Sequence, residues 1–156
     1  MDKKDKISMK GWVNLKHFRG GKLIEERDAH NTIQTPGIEA IGDYLIGDFT
    51  GDFNYMGIGT GGVGGDNAAL TALVSEVGLD GKAATTHTIL TSRTSTAGVV
   101  QFITTFTMSG SAAISEAGVF KTTPDSTMLA RQTFADLNLV NTDSLAITWT
   151  LTIIDT

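Results

Sequence analysis

Few side chains in this sequence have the types and spacing that catalysis requires. Glu116 is the most suggestive acid, because it lies inside the apolar run Ile114–Phe120. A carboxylate buried there needs a cationic partner such as Arg93 or Arg131, and a structural salt bridge is a simpler interpretation than a catalytic acid. The sequence contains no G-x-S-x-G motif that would present a serine nucleophile. We therefore expect that this protein is not an enzyme.

Metal-binding residue types are present but badly spaced. The histidines have no second ligand at zinc spacing and are expected to be surface or hydrogen-bonded strand residues: His17, His30 and His87. A second group could offer oxygen ligands to calcium but lacks the EF-hand order and its terminal Glu: Asp48, Asp52 and Asn54. With 0 cysteines, thiolate sites and disulfides are excluded. We assign no metal to this chain.

The segment Gly57–Gly62 matches the G-x-G-x-x-G pattern of dinucleotide-binding proteins. In that setting the motif opens a long helix within a βαβ unit. Here glycines continue to Gly65, the helix expected next is short, and the downstream strands alternate as in an antiparallel sheet. A sharply turned loop is the better interpretation, so we expect no cofactor.

Hydrophobic alternation is the strongest structural signal. Leu145–Ile153 places its large apolar residues on one side of an extended chain and its Ala and Thr residues on the other, which predicts a half-buried strand. Near the start, two strands flank the tight turn Arg19–Lys22, whose glycine pair is typical of a hairpin. With 18 Gly and only 2 Pro, the composition favours short strands joined by turns.

Two short helices are predicted between the strands. Thr35 and Pro36 form a helix-start signal, and Gly47 is the expected end. Within this first helix, one face carries Ile38, Ile41 and Leu45. The second helix would be capped by Asp66, end at Gly78 and present a stripe at helical spacing: Leu70, Leu73, Val74 and Val77. Both helices are expected to cover a sheet.

Further strands are expected from Thr85 onward, separated by turn clusters that include residues 94–97, 109–111, 122–126 and 141–143. This regular spacing favours an all-β fold, specifically an antiparallel β-sandwich with two short covering α-helices. We expect residues 1–9 to form a mobile charged arm and residues 10–156 a single domain. The lysines of this arm and its border are candidates for contact with a neighbouring subunit: Lys3, Lys4, Lys6 and Lys10.

Charge and hydropathy exclude several classes of partner. The 12 Lys and Arg against 17 Asp and Glu give a net charge of −5, which opposes a role in neutralising nucleic-acid phosphates. No apolar run approaches the ~18 residues that a membrane-spanning helix needs. We therefore expect neither nucleic acid nor membrane as a partner, and synthesis in the cytoplasm.

Six segments, taken in chain order, carry a resemblance to a known family. They are residues 21–26 (GKLIEE), 30–33 (HNTI), 55–61 (YMGIGTG), 114–120 (ISEAGVF), 128–131 (MLAR) and 143–152 (DSLAITWTLT). This pattern resembles a family of small β-rich structural proteins of tailed bacteriophages, over roughly residues 10–154. The chain departs from the family mainly in a longer Gly61–Asp80 region.

The resemblance implies a virion structural protein without a catalytic motif. We expect a decoration or cement protein that stabilises the head by bridging neighbouring subunits, with the phage major capsid protein as its partner and a homo-oligomer, such as a trimer, as its form. The alternative is a tail, baseplate or fibre-associated protein that contacts tail proteins. A remoter alternative is a carbohydrate-binding β-sandwich, for which the candidate exposed aromatic residues are Phe49, Phe53 and Tyr55.

Overall fold

The computed structural model describes residues 7–48, 51–62, 67–82, 87–121 and 127–155. Within these ranges the chain forms one α-helix and ten β-strands: β1 (Ile7–Arg19), β2 (Lys22–Ile33), α1 (Thr35–Ile46), β3 (Tyr55–Gly59), β4 (Glu76–Val77), β5 (Thr88–Ile89), β6 (Ser92–Thr96), β7 (Val99–Thr107), β8 (Ala112–Phe120), β9 (Met128–Leu139) and β10 (Ser144–Asp155). Strands account for 60% of the structure, which confirms the predicted all-β class.

The strands form one antiparallel sheet that curls into a half-barrel. Their order is β4-β3-β8-β9-β2-β1-β10-β7-β6, and β5 also pairs with β3. β2 and β9 pair only through Thr32 with Arg131 and Ile33 with Ala130. This short junction divides the sheet into half A (β2, β1, β10, β7 and β6) and half B (β9, β8, β3, β4 and β5). The predicted two-sheet sandwich is not confirmed, because the two halves remain hydrogen-bonded to each other.

Both halves contribute inward side chains to one common hydrophobic core. In β10, Leu145, Ile147 and Trp149 are fully buried, as the alternation of that strand predicts. Strand β8 is buried almost along its whole length. One of its faces meets the common core, and Phe120 packs with Leu73 in a smaller cluster on the other side. Strand β8 is therefore the central element of half B.

The helix predicted to follow Asp66 is wrong. Residues 67–75 form turns and bends and lead directly into β4; Asp66 itself lies outside the described residues. The backbone N–H groups of Val74 and Ser75 donate to the carboxylate of Glu116, at 3.1 and 2.7 Å. These bonds replace the i to i−4 bonds that a helix would make. A tertiary contact has overridden the helical spacing of the apolar residues.

Helix α1 confirms the first predicted helix, with a shifted start. Its N-cap residue is Gln34 and not Thr35, and Pro36 lies in the first turn as expected. Gly47 ends the helix in the left-handed conformation, with φ of 82°. The helix predicted between β2 and β3 is therefore present, with Pro36 in its first turn and Gly47 at its end as the sequence predicts.

Of the three residues on the predicted apolar face of α1, only Ile41 packs against the common core. Gly37 and Ala40 are its buried residues, whereas Ile38 and Leu45 are 56% and 83% exposed. A Cβ atom on Gly37 would come within 2.6 Å of the carbonyl oxygen of Leu129 in β9. Because the helix packs this closely on the backbone of β9, only small residues fit directly between them, and Ile38 and Leu45 are left outside.

The edge of half A also differs from the prediction. Residues 94–96, expected in a turn, belong to strand β6, which pairs with β7 from Ser92–Ile103 to Thr96–Val99. The turn between them lies at Ala97 and Gly98, whose φ angles are 50° and 79°. The predicted strand Thr85–Ser92 falls partly outside the described residues, and its described part contains only the short strand β5 and the first residue of β6, Ser92.

The N-terminal segment is ordered earlier than predicted. Residues 7–9 already belong to β1 and pair with β10, and Lys10 pairs with Thr152 in the same ladder. Lys10 is therefore an exposed strand residue and not part of an arm. Lys3, Lys4 and Lys6 lie outside the described residues. Among the described segments, no helix is long and apolar enough to cross a bilayer.

Candidate interaction surfaces

The carboxylate of Glu116 is completely buried in half B and is held by an arginine from the next strand. Arg131 donates to Glu116 Oε2 from Nε at 3.0 Å and from a terminal nitrogen at 2.8 Å. Both side chains are at most 2% exposed. Of the two partners predicted for Glu116, the structure selects Arg131. Arg93 instead pairs with Asp52 at 3.2 Å.

Glu116 also anchors two chain segments that lack regular structure. Its Oε1 atom accepts from the backbone N–H of Gly61 at 3.1 Å and of Ser75 at 2.7 Å. Arg131 donates to the carbonyl oxygen of Gly61 at 3.2 Å. A Cβ on Gly59 would come within 2.6 Å of Glu116 Oε1, and one on Gly61 would come closer still, so these two glycines of the G-x-G-x-x-G segment are needed for close packing around this carboxylate. The ion pair is therefore a structural element that ties loops to β8 and β9.

The carboxylate of Asp143, in the turn between β9 and β10, is also buried. Asp143 accepts from Arg19 at 2.9 and 2.8 Å, contacts His17 Nε2 at 2.8 Å and accepts from the backbone N–H of Val140 at 3.0 Å. The hydrogen bonds from Arg19 are the main cause that holds the pKa of Asp143 well below its usual range. This cluster joins the β1–β2 hairpin end to the β9–β10 turn.

The remaining predicted histidines also have structural contacts. His87 contacts Glu76 at 3.0 Å and stacks on Phe120, with ring centroids 3.8 Å apart. His30 meets Trp12 edge to face, at 4.3 Å between centroids. Within the described segments, no three His, Asp or Glu side chains come together as metal ligands. His17, His87 and Glu116 therefore connect segments that are apart in the sequence.

The first exposed surface lies on α1 beside the last strand of half A. We call Ile38, Tyr44, Leu45 and Ile46 the α1 patch; they are 56%, 59%, 83% and 72% exposed. β6 ends the described sheet, and its residues from Arg93 to Thr96 are exposed. An unpaired strand edge next to exposed apolar side chains is a surface that folded proteins normally protect or use for association.

An open groove of about 510 Å³ connects these two features. We call it the edge groove: Tyr44 of α1, Phe53, and Phe102 of β7 line it, and the Asp52–Arg93 ion pair borders it. Its wall is mostly apolar with one charged pair, a composition suited to a protein segment with apolar side chains. The edge groove and the α1 patch share Tyr44, and we call the two together the contact region.

The predicted exposed aromatic cluster does not form a single surface. Phe53 is half-buried against the common core, whereas Tyr55 packs against the small cluster of Leu73 and Phe120. Phe49 lies outside the described residues. Phe53 does line the edge groove, but its aromatic neighbour there is Tyr44. No pattern in the sequence indicates Tyr44, because its place at the groove depends on how α1 packs.

The second exposed surface is the outer face of half A, centred on Trp12. Gly11, Val13 and Leu15 of β1 are buried on the inner face of the strand. Trp12 therefore points to the outer face and is 41% exposed. Its indole Nε1 donates to Asp28 at 3.1 Å. Hydrogen bonds from Asn14 and Trp12 lower the pKa of Asp28, so this carboxylate is ionised at neutral pH. The alternation of β1 in the sequence is sufficient to identify Trp12 as an outward residue.

Comparison with protein-family models, with curated proteins and with solved structures found no match to this chain. The two exposed surfaces and the buried clusters are therefore the observations from which function must be argued.

Proposed function

We propose that this chain is a structural protein of a tailed bacteriophage virion, bound to the head as a decoration or cement protein that bridges neighbouring capsid subunits. The six sequence segments that resemble small phage structural proteins support this proposal. The observation that carries it is the α1 patch beside the exposed strand β6. Leu45 alone is 83% exposed, and such a surface favours burial against another chain.

The contact would combine main-chain and side-chain interactions. Strand β6 can offer its outer backbone N–H and C=O groups to a strand of the neighbour, while the edge groove receives apolar side chains. Leu45 and Ile46 would be buried at the same time. In this proposal the two halves of the curled sheet act as the facing layers of a sandwich, a compact body that presents one contact region outward.

Bridging would stabilise the shell by mass action. A protein that binds only the assembled shell stabilises it relative to the separated subunits. The free energy of this stabilisation rises with the logarithm of the protein concentration divided by its Kd. The proposed partners are the major capsid protein and further copies of this chain, in a trimer. Lys3, Lys4, Lys6 and Lys10 are proposed to contact acidic residues of a neighbouring subunit.

The alternative proposal places the same protein in the tail, at the baseplate or at a fibre. It uses the same contact region, because a strand edge and an apolar groove suit tail proteins as well as capsid proteins. The two proposals differ in the particle substructure that the chain binds, and the experiment below distinguishes them.

The test is rebinding of the purified chain to phage particles assembled without it. Particles are mixed with the chain, sedimented and imaged, and bound protein is quantified on heads and tails. We expect the wild-type chain to bind heads. The double variant Leu45→Ser with Ile46→Ser should bind at least tenfold more weakly, because it removes two exposed apolar side chains from the α1 patch.

A matched control changes one exposed apolar residue elsewhere. Ile24 in β2 is 54% exposed and lies outside the contact region, so Ile24→Ser should bind as the wild type does. Binding only to tails would support the alternative. Failure of the wild-type chain to bind any part of the particle would contradict both proposals, and equal binding by the double variant would exclude the α1 patch as the contact.

A further inference from the structure

The outer face of half A has a composition different from that of the contact region on α1. Trp12 lies on β1, between β2 and β10, in a row with His30 on one side and Thr150 on the other. An indole ring is costly to leave in water, since it carries one of the largest apolar surfaces of any side chain. Its neighbours on this face are polar, and so the ring does not belong to an apolar patch.

The Trp12 ring is held by Asp28, which accepts from its indole N–H, and by the ring of His30, which it meets edge to face. Asp28 Oδ1 accepts from Trp12 Nε1 at 3.1 Å and from Asn14 Nδ2 at 3.0 Å. Asn14 Nδ2 also donates to Glu26 Oε1 at 2.8 Å. Among the described residues, these bonds do not use Asp28 Oδ2 or Asn14 Oδ1. A fixed aromatic ring thus stands next to open acceptor atoms.

We infer that this face binds a neutral pyranose sugar, with the ring of Trp12 as the stacking surface and Asn14, Glu26 and Asp28 as hydrogen-bonding groups. A pyranose has an apolar face of C–H groups, which packs on an aromatic ring, and a rim of hydroxyl groups, which donate to carboxylate and amide oxygens. The ring and the acceptors on this face match these two features. We call Trp12, Asn14, Glu26 and Asp28 the Trp12 site.

Charge selects the class of sugar. Glu26 and Asp28 lie within hydrogen-bond reach of the same Asn14 amide, and Lys16 approaches Glu26 at 3.5 Å at the edge of the group. Two carboxylates beside the ring repel a sialic or uronic acid and equally repel a nucleic-acid phosphate. The site therefore favours neutral or N-acetylated hexoses. This inference is independent of the virion assignment, because it uses a different face of the molecule.

The test uses the full chain and defined oligosaccharides: lactose, cellotetraose, triacetylchitotriose and 3′-sialyllactose. Binding is measured by saturation-transfer NMR and by titration of the indole fluorescence. Trp149 is fully buried, so a spectral change on titration reports the environment of Trp12. We expect at least one neutral sugar to bind and 3′-sialyllactose to bind at least tenfold more weakly.

Variants assign the binding to the Trp12 site. Trp12→Ala should weaken the binding of the neutral sugar at least tenfold, and Asp28→Ala should weaken it severalfold without removing the ring. Thr107→Ala, on the same face but at the far end of β7, is the matched control and should bind as the wild type does. Circular dichroism verifies that each variant is folded. Absence of binding to all three neutral sugars, preference for the sialylated one, or unchanged binding by folded Trp12→Ala would each overturn the inference.

Discussion

Two tryptophans on adjacent strands of half A show how differently this molecule uses its inner and outer surfaces. Trp149 of β10 pairs with Val13, and Trp12 of β1 pairs with Thr150, so the two residues are close neighbours on opposite faces. Trp149 is 0% exposed and belongs to the common core, whereas Trp12 is 41% exposed beside Asn14. The same side chain stabilises the fold in one place and remains available for a ligand in the other.

The carboxylates also fall into a buried group and an exposed group. Glu116 and Asp143 are 0% exposed, and each is hydrogen-bonded to an arginine and to backbone N–H groups. Glu26 and Asp28 on the outer face keep contact with solvent. The inner groups are placed to stabilise the fold, whereas the outer groups are the ones proposed to bind a ligand. Substitutions that compare one with the other should separate these two properties.

The largest difference in the free energy of unfolding is expected between variants of the two tryptophans. Trp149→Ala should lower the free energy of unfolding by about 4 kcal/mol, because it removes a large buried ring and leaves a cavity. Trp12→Ala should lower it by less than about 1 kcal/mol, because this ring is partly solvated and its loss creates no cavity. Urea unfolding followed by far-UV circular dichroism measures both. Similar losses for the two variants would contradict the division into inner and outer surfaces.

A smaller contrast is expected between the carboxylates. Glu116→Gln leaves the buried guanidinium of Arg131 without its counter-charge and should cost about 3 kcal/mol of unfolding free energy. The matched control Glu26→Gln changes an exposed carboxylate and should stay within about 0.5 kcal/mol of the wild type. Both values come from the same denaturant titration. A loss below about 1 kcal/mol for Glu116→Gln would show that the ion pair is not an essential element of half B.

The pH dependence of stability should depend on Asp143. Its pKa is lowered in the folded protein, so its contribution is complete above the unfolded pKa of about 4 and is lost as the pH falls below that value. Asp143→Asn should cost about 2 kcal/mol at neutral pH, because the hydrogen bonds to a charged acceptor are weakened. The variant should also lose less stability than the wild type between about pH 4 and pH 2. Thermal unfolding across this range measures both effects, and parallel pH profiles would exclude Asp143 as the cause.

Several elements could be predicted because their signals are local. The strict alternation in β10 and the glycine pair of the first hairpin determine those strands without help from distant residues. Gly47 ends α1 for the same reason. The sequence indicated that Glu116, if buried, would need an arginine, and the structure supplies Arg131, one of the two candidates.

Other features could not be predicted because they depend on contacts between distant segments. The region before β4 has helical spacing of apolar residues, but its N–H groups bind the Glu116 carboxylate. The Thr- and Ser-rich β6 resembles a turn until β7 pairs with it. The orientation of α1 follows from the fit of Gly37 against Leu129, a contact that no pattern within the helix indicates.

The same distinction between local sequence signals and contacts of distant segments applies to the two candidate surfaces. Tyr44 and the α1 patch are exposed because small residues occupy the buried side of α1, so the contact region could not be found from the apolar spacing of the helix. Trp12 was accessible to prediction, since the buried neighbours Val13 and Leu15 place it on the outer face. The site on the regular strand was thus predictable in principle, and the site built by helix packing was not.

Immunogold electron microscopy of intact particles tests most directly whether this chain is part of a phage virion. The antibody is raised against the purified chain, and particles that lack the gene serve as the control. We expect gold distributed over the heads of wild-type particles and none on the control. Gold confined to the tail would contradict the head assignment and support the tail alternative, and absence of gold from every part of the particle would contradict the central claim.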